Sequence, residues 1–399
     1  MIAPRRAWPQ LAAVALLAFA SAGFAAAPSK LPSGAGPEHA LSGVLAAIEV
    51  NRLDVALQRV EALIAAHPNF RLAHLIRGDL LFARGRPLET FGNVPKTVPR
   101  EKVEDLRAEA LLRLRALRDR PSGERVPRYV LQLHPEQKHA LVVDSRRSRL
   151  YVFENVDGRP QFIADYYVTL GKNGVEKTRE GDQKTPVGVY HVTANLPRQK
   201  LTDFYGAGAY PINYPNAWDK RLGRNGHGIW LHGTPSDTYS RPPRASDGCI
   251  VLANADLEAV GRTVQVGLTP VIIADEIEWT DAALLEAERK GLAGAFEAWR
   301  AAWESRDADR YLAFYDARFH SGEQDLAAWA GHKRKVNGAK SWIKVAVSRL
   351  AMLQYPRESF VVVSFDQDYR SSNLSNVMRK RQYWIKEDGR WRILYEGGE

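Results

Sequence analysis

The spacing of apolar residues changes along this chain of 399 residues, and that change constrains its fold more than any other feature. Residues 38–118 carry apolar side chains at helical spacing, whereas from Tyr129 short β-rich runs alternate with Gly/Pro-rich loops. After Trp279 the pattern becomes helical again, and strands return from residue 342. The chain is also too long for one ordinary core, so we expect separate domains.

The pattern predicts a multidomain protein with three folded parts. We expect a helical N-terminal domain over residues 38–120, a mostly-β sandwich or barrel over 138–276, and an α+β domain over 289–399. The helical part resembles one tetratricopeptide-like unit, and an ordinary helical bundle fits it equally well. The last part, a helix followed by strands that close with Asp388-Gly-Arg-Trp391, resembles the nuclear-transport-factor-2-like (SnoaL-like) cone.

The N-terminus has the layout of a secretory signal peptide. Arg5 and Arg6 precede an apolar stretch from Leu11 to Phe24, and small residues follow it. We expect residues 1–25 to be removed, leaving a periplasmic protein of the Gram-negative type without a stable membrane span. Removal of the two arginines lowers the formal net charge from +10 to about +8, which suits an anionic partner. No basic run with interleaved aromatics indicates nucleic-acid binding.

Cys249 is the single cysteine of the chain. A lone thiol in an oxidising compartment is exposed to damage unless it has a function or is buried. Its neighbours favour a function: Cys249 follows a sharp Ser-Asp-Gly turn, and His232 ends an apolar run seventeen positions earlier. A nearby base activates a thiol, and Gly248 leaves room for backbone N–H groups to face a developing oxyanion. The spacing alone does not establish a dyad.

These segments together resemble the catalytic domain of the L,D-transpeptidase (YkuD-type) family. The resemblance covers roughly residues 138–275. Several motifs occur in the family's order, namely Asp144, Gly181-Asp182, Thr185-Pro186, Gly188, His232-Gly233, Ser246-Asp247-Gly248-Cys249 and Asn254.

The resemblance implies a mechanism. Cys249 would attack the carbonyl of the third residue of a peptidoglycan stem peptide, a diamino acid, and terminal D-Ala would leave. His232 would take the thiol proton, with its other ring nitrogen held by the Gly233 carbonyl. Gly248 would lie in the oxyanion region. The acyl-enzyme would pass to an amine or to water, and neither a metal nor a cofactor is required.

Two positions depart from the family pattern. Asp247 stands where the family has His, and Val251 stands where it often has Arg. These changes leave the nucleophile in place and leave the substrate and acceptor open. We expect substrate contacts from residues that flank the motif, and Asp247 can equally be a turn residue. The candidates are Ser246, Asp247, Arg224 and Arg244, with Lys172 as a further cation.

The three-part layout resembles the L,D-carboxypeptidases that set cell shape in helical bacteria. Those enzymes trim tetrapeptide stems to tripeptides, and the resemblance implies a homodimer formed through the N-terminal domain and a C-terminal pocket for wall fragments. We expect a transpeptidase, because cross-linking is the commoner function of the family, and two alternatives stay open: a carboxypeptidase, and a wall-binding scaffold whose catalytic domain has lapsed. The joint presence of His232, Gly233, Gly248 and Cys249 argues against the scaffold.

Overall fold

The computed structural model describes residues 36–88, 90–95, 97–119 and 124–398. The predicted signal peptide, residues 1–25, lies outside them. Within these ranges no helix is both long and apolar enough to cross a membrane.

Antiparallel helices make up the N-terminal part. Their apolar faces pack into a core in which Leu41, Val60 and Ile76 are almost fully buried. This core continues into Tyr239 and Ala253 of the next domain, so the helices also serve as a platform for that domain. The helices are α1 (Pro37–Glu49), α2 (Leu53–Ala66), α3 (Arg71–Phe82) and α4 (Arg100–Arg118).

Two short strands, β1 (Arg125–Pro127) and β2 (Val130–Gln132), connect the helices to the middle domain. The middle domain holds further strands and two short helices. The strands are β3 (His139–Asp144), β4 (Arg149–Val156), β5 (Arg159–Tyr167), β6 (Leu170–Gly171), β7 (Gly188–His191), β8 (Leu196–Pro197), β9 (Gly208–Pro211), β10 (Trp230–His232), β11 (Arg244–Ser246), β12 (Ile250–Val251) and β13 (Pro270–Ala274). The helices are α5 (Ala217–Arg221) and α6 (Asn254–Gly261).

The middle domain is built from stacked sheets. One has the order β5-β4-β3-β13-β7 and another the order β12-β10-β9-β8, while β6 pairs with β11. Leu141 and Ile273 of the first sheet share a core with Leu231 and Ile250 of the second. The predicted mostly-β fold is confirmed as an arrangement of open sheets, and none of the described sheets closes into the barrel that the sequence left open.

The C-terminal part is an α+β domain, as predicted. Its core is aromatic, with Trp299 and Trp384 fully buried. The sheet has the order β16-β15-β20-β19-β18-β17-β2, so β2 of the connector forms its edge, and β1 pairs with β14. The elements are β14 (Trp279–Asp281), α7 (Ala282–Glu304), α8 (Ala308–Leu312), β15 (Tyr315–Ser321), β16 (Gln324–Asp325), α9 (Leu326–Gly338), β17 (Ile343–Gln354), β18 (Phe360–Ser371), β19 (Leu374–Glu387) and β20 (Arg390–Gly398).

Candidate active site

His232 ends strand β10, and Cys249 directly precedes β12, the parallel strand beside it. In the β10–β12 pair Leu231 is opposite Ile250, and both side chains point into the core. Side chains alternate between the two faces of a strand. His232, one residue after Leu231, therefore lies on the opposite face of β10, and Cys249 lies in the turn that leads into Ile250. The strand pair thus puts the two residues on adjacent parts of the chain fold, although seventeen positions separate them in sequence.

His232 is held in one orientation. It is almost fully buried, and its Nδ1–H donates to the Gly233 carbonyl over 2.7 Å. Because a carbonyl only accepts, this bond leaves Nε2 with a free lone pair. The rings of Phe204 and Tyr205 contact the imidazole at centroid distances of 5.6 Å and 5.2 Å. Burial lowers the pKa of His232 to about 4, and the nearby Arg241 charge adds to the effect.

The Gly233 carbonyl is fixed by Asn254. The family resemblance includes Asn254 in its motif, but it gave this residue no role. The Asn254 amide oxygen accepts from the backbone N–H groups of Ala207 and Thr234, and its Nδ2 donates to the Thr234 carbonyl over 2.9 Å. A side chain at position 233 would collide with this amide, which explains the glycine. Asn254 thus sets the backbone to which His232 is bonded.

Cys249 is half-buried, and its Sγ donates to the Gly228 carbonyl over 3.3 Å. Burial raises the pKa of the thiol to about 11, while a hydrogen bond from the Trp230 backbone and the charge of Arg241 act in the opposite direction. At pH 7 the pair therefore consists of a thiol and a neutral imidazole rather than a thiolate and an imidazolium. Such a pair suits proton transfer during attack on a carbonyl.

The turn before Cys249 is tightly built. Gly248 has a φ of +124°, and a Cβ there would lie 2.7 Å from the Lys184 carbonyl oxygen, so only glycine fits. The Ser246 hydroxyl donates to the Cys249 carbonyl over 2.6 Å and accepts from the Gly248 N–H at 3.2 Å. The Thr185 hydroxyl donates to the Gly248 carbonyl over 3.0 Å. Ser246 and Thr185 therefore stabilise the turn that presents the thiol.

The predicted substrate residues have partners within the protein. The exposed Asp247 accepts from Lys172 at 3.0 Å and from Gln183 at 3.1 Å. Arg224 bonds to the buried Asp219 at 3.1 Å, and Arg244 donates to the Ser145 carbonyl over 3.0 Å. Asp247 is thus a turn residue whose carboxylate is hydrogen-bonded within the protein, and both arginines are bonded to structural partners. Contact of these residues with substrate stays a prediction.

Sequence reasoning missed Arg241. It lies on the loop between His232 and Cys249, and its guanidinium carbon is 4.8 Å from the centre of the Phe204 ring, which also contacts the imidazole. Its charge acts on both His232 and Cys249. One sequence signal could have indicated Arg241: it stands directly before Pro242 and Pro243, in the loop that joins the dyad residues.

Among the described residues, no group of three or more His, Cys, Asp and Glu side chains is arranged to hold a metal ion.

Comparison with known families agrees with this geometry. Residues 138–273 match the L,D-transpeptidase catalytic domain, YkuD, and residues 291–397 match the C-terminal NTF2-like domain of Cds6. The chain therefore contains a YkuD-type L,D-transpeptidase catalytic domain followed by an NTF2-like domain, as the motifs and the layout predicted.

Solved structures extend the match beyond single domains. Bd1075 from Bdellovibrio bacteriovorus is 29% identical with a TM-score of 0.59, and the match covers 68% of this chain and 97% of Bd1075. The helical cell shape determining protein Pgp2 from Campylobacter jejuni is 27% identical with a TM-score of 0.58, covering 68% of this chain and 95% of Pgp2. No curated protein sequence is significantly similar to the chain.

Proposed function

We propose that the chain is a peptidoglycan cysteine enzyme that acts at the bond between the diamino acid and D-Ala of tetrapeptide stems, through an acyl-enzyme on Cys249. The observation that carries the proposal is the dyad. His232 is locked by the Gly233 carbonyl so that Nε2 is free, and Cys249 directly precedes the strand that pairs with the His232 strand, within a YkuD-type domain.

The resting protonation states determine the first step. As Sγ of Cys249 attacks the carbonyl carbon, Nε2 of His232 takes the thiol proton, which places positive charge on the ring as negative charge forms on the carbonyl oxygen. The imidazolium then gives that proton to the nitrogen of the leaving D-Ala. The C–N bond breaks, and a thioester remains on Cys249.

In the second step, water or an amine attacks the thioester, and Nε2 of His232 takes its proton. The thiolate leaves and is reprotonated by the imidazolium, so the enzyme returns to its starting state. Water releases a tripeptide stem, and an amine produces a cross-link. The dyad is common to both outcomes, and the acceptor alone distinguishes a carboxypeptidase from a transpeptidase.

Two observations favour water. The acidic group whose charge reaches the thiol, Asp247, is already paired with Lys172, so it is poorly placed to hold an acceptor ammonium. A transpeptidase must position an amine against competing water. In addition, the match to Pgp2, described as a helical cell shape determining protein, extends over nearly all of that protein rather than its catalytic domain alone. We therefore propose trimming as the main outcome and a role in cell shape.

Two further proposals concern location and assembly. We propose that the mature protein is periplasmic, where stem peptides are found, and that a homodimer forms through the helical domain. Fractionation of cells that produce the full chain and sedimentation of the mature protein test these two proposals. Full-length protein in the cytoplasm would contradict the first, and a strictly monomeric protein the second.

The decisive test is a digest of purified disaccharide-tetrapeptide with and without an excess of amine acceptor, analysed by mass. We expect disaccharide-tripeptide and free D-Ala in both reactions, and no product from Cys249→Ala. Dimers without tripeptide would identify a transpeptidase. Absence of any product from the correctly folded wild-type protein would favour the wall-binding scaffold.

A further inference from the structure

The loop between the two dyad residues, residues 234–245, is fastened to the helical domain. The Tyr239 ring packs on Phe70 at a centroid distance of 4.1 Å, and the Ser240 hydroxyl donates to Glu109 over 2.7 Å. Asn69 donates from its side chain to the Ser236 carbonyl over 3.1 Å. A loop of this length would be mobile without such contacts, whereas here its backbone is held along its length.

Arg241 lies on this loop with a fixed backbone and an available guanidinium. Its carbonyl accepts from the Tyr167 hydroxyl at 3.0 Å and from the Thr169 hydroxyl at 2.9 Å. Thr169 also bonds through its backbone to Val251, on the strand that follows Cys249. By contrast, within the described ranges no carboxylate or hydrogen-bond acceptor lies within bonding distance of the guanidinium, which rests on the half-exposed Phe204 ring.

An arginine held this way is prepared for an anionic group. The guanidinium binds carboxylates with two parallel hydrogen bonds, and its planar face stacks on aromatic rings. The other cation whose charge reaches the thiol, Lys177, is buried and paired with Asp182 at 2.8 Å. Of these two cations, Arg241 is therefore the one whose donors are open to a ligand.

We propose that Arg241 binds the free carboxylate of the C-terminal D-residue that the enzyme removes. This inference rests on the proposed function. The Phe204 ring contacts both the guanidinium and the imidazole, and the Arg241 charge acts on both dyad residues, so a group bound by Arg241 would lie near the dyad. In a tetrapeptide stem, the terminal carboxylate is separated from the scissile nitrogen by a single carbon. The other carboxylates of the stem lie farther along the peptide or along the side chain of the diamino acid.

A carboxylate contact at this position has a consequence for specificity. Substrates that end in a free D-residue would be accepted, while stems whose terminal carboxyl is amidated would leave the Arg241 charge without its partner. Arg241 would thus direct the enzyme to chain ends, which is what trimming requires. The helical domain would act as the support that keeps the arginine in register with the thiol.

The experiment compares disaccharide-tetrapeptide with its C-terminal carboxamide. Wild-type protein should prefer the free acid in kcat/KM by about 10- to 100-fold, the range expected for a hydrogen-bonded charge. Arg241→Gln should lose that factor on the free acid and nothing on the amide, and Arg241→Lys should recover part of it. Arg159→Gln, which removes an exposed arginine paired with Glu286, is the matched control and should behave as wild type.

Binding to a Cys249→Ala background separates this inference from the proposed function. Calorimetry should show tighter binding of the acid than of the amide, and the preference should vanish when Arg241→Gln is added. Equal losses on acid and amide, or no loss, would overturn the carboxylate contact while wild-type turnover leaves the proposed function standing. If the acid is preferred in an Arg241-dependent way but the wild-type protein turns over neither substrate, the carboxylate contact stands and the proposed function is overturned.

Discussion

The catalytic domain contacts its two neighbours through very different surfaces. At the junction with the helical domain, buried charges meet: Arg113 pairs with Glu38 and Glu109, and Arg149 pairs with Glu38 and Asp165. Rings pack at both junctions, but at the one with the NTF2-like domain the ion pairs, such as Arg159 with Glu286, involve exposed arginines, and the buried contacts are aromatic. Trp218 lies against Phe360 at a centroid distance of 4.8 Å and against Tyr383 at 5.6 Å.

The two kinds of contact constrain the position of the neighbouring domain to different degrees. Apolar packing stabilises an interface roughly in proportion to area and tolerates small shifts. Buried ion pairs contribute little net stability but allow few geometries, and they are costly when one partner is lost. The charged junction is the one that carries the loop with Arg241, through Ser240 and Glu109. We infer that the charged junction fixes the position of the Arg241 loop, whereas the aromatic junction mainly stabilises the contact between the two domains.

The largest expected effect comes from breaking the charged junction. Arg113→Ala leaves Glu109 buried without its cation, so the free energy of unfolding should fall by about 3–5 kcal/mol. Turnover should fall as well, because Ser240 loses a fixed partner. Arg118→Ala, on the same helix and in an exposed pair with Glu49, is the control and should cost less than about 1 kcal/mol. Equal denaturation midpoints for the two variants would contradict the comparison.

A smaller effect is expected at the aromatic junction. Phe360→Leu keeps most of the buried volume but loses the ring contacts with Trp218 and Tyr383, so it should cost about 1 kcal/mol. The kcat and KM of the folded protein should stay unchanged, since the described ring contacts of Phe360 are with Trp218, Tyr355 and Tyr383 and not with the dyad or the loop that carries Arg241. A change in KM without a change in stability would show that this junction also positions the site.

The smallest effect concerns the titration of the thiol. The alkylation rate of Cys249 by iodoacetamide should rise with pH until the thiol pKa of about 11 is reached. Arg241→Gln should raise this pKa further, because the positive charge favours the thiolate. Phe360→Leu should leave the profile unchanged. A lower thiol pKa in Arg241→Gln would contradict the placement of the guanidinium.

The loss of activity at low pH should be determined by protonation of His232. Burial lowers its pKa to about 4, and the neutral ring is the form that takes the proton. Activity should therefore persist down through mildly acidic pH and be lost only as pH falls through about 4, provided that the protein stays folded, which circular dichroism checks. Loss of kcat/KM near pH 6.5 in folded protein would show that the imidazole is not desolvated as described.

The sequence predicted the parts of this molecule that depend on local order. The change of apolar spacing placed the three folded parts, and the strand Pro270–Ala274 was predicted at its observed bounds. It did not predict that β2 of the connector joins the C-terminal sheet, because strand pairing over more than 200 positions leaves no local signal. The barrel alternative was wrong for the same reason, since closure depends on partners and not on strand pattern.

The site divides in a similar way. The motif predicted His232, Gly233 and Cys249 as one site, and in the fold His232 ends one strand while Cys249 directly precedes the strand that pairs with it. The nearby cation escaped prediction because its position depends on tertiary contacts. Val251 is buried and apolar, and Arg241 lies on a loop that the helical domain holds through Tyr239 and Ser240. Arg224 and Arg244 flank the motif in sequence, yet Asp219 and Ser145 are their partners in the fold.

The most direct test of the account is the mass of the enzyme during turnover. Wild-type protein mixed with disaccharide-tetrapeptide and quenched in acid should carry an adduct equal to the substrate less D-Ala, located on the peptide that contains Cys249. His232→Ala should show no adduct, because nothing takes the thiol proton. Tripeptide formation by Cys249→Ala, or turnover with the adduct on another residue, would contradict the central claim that this thiol is the nucleophile.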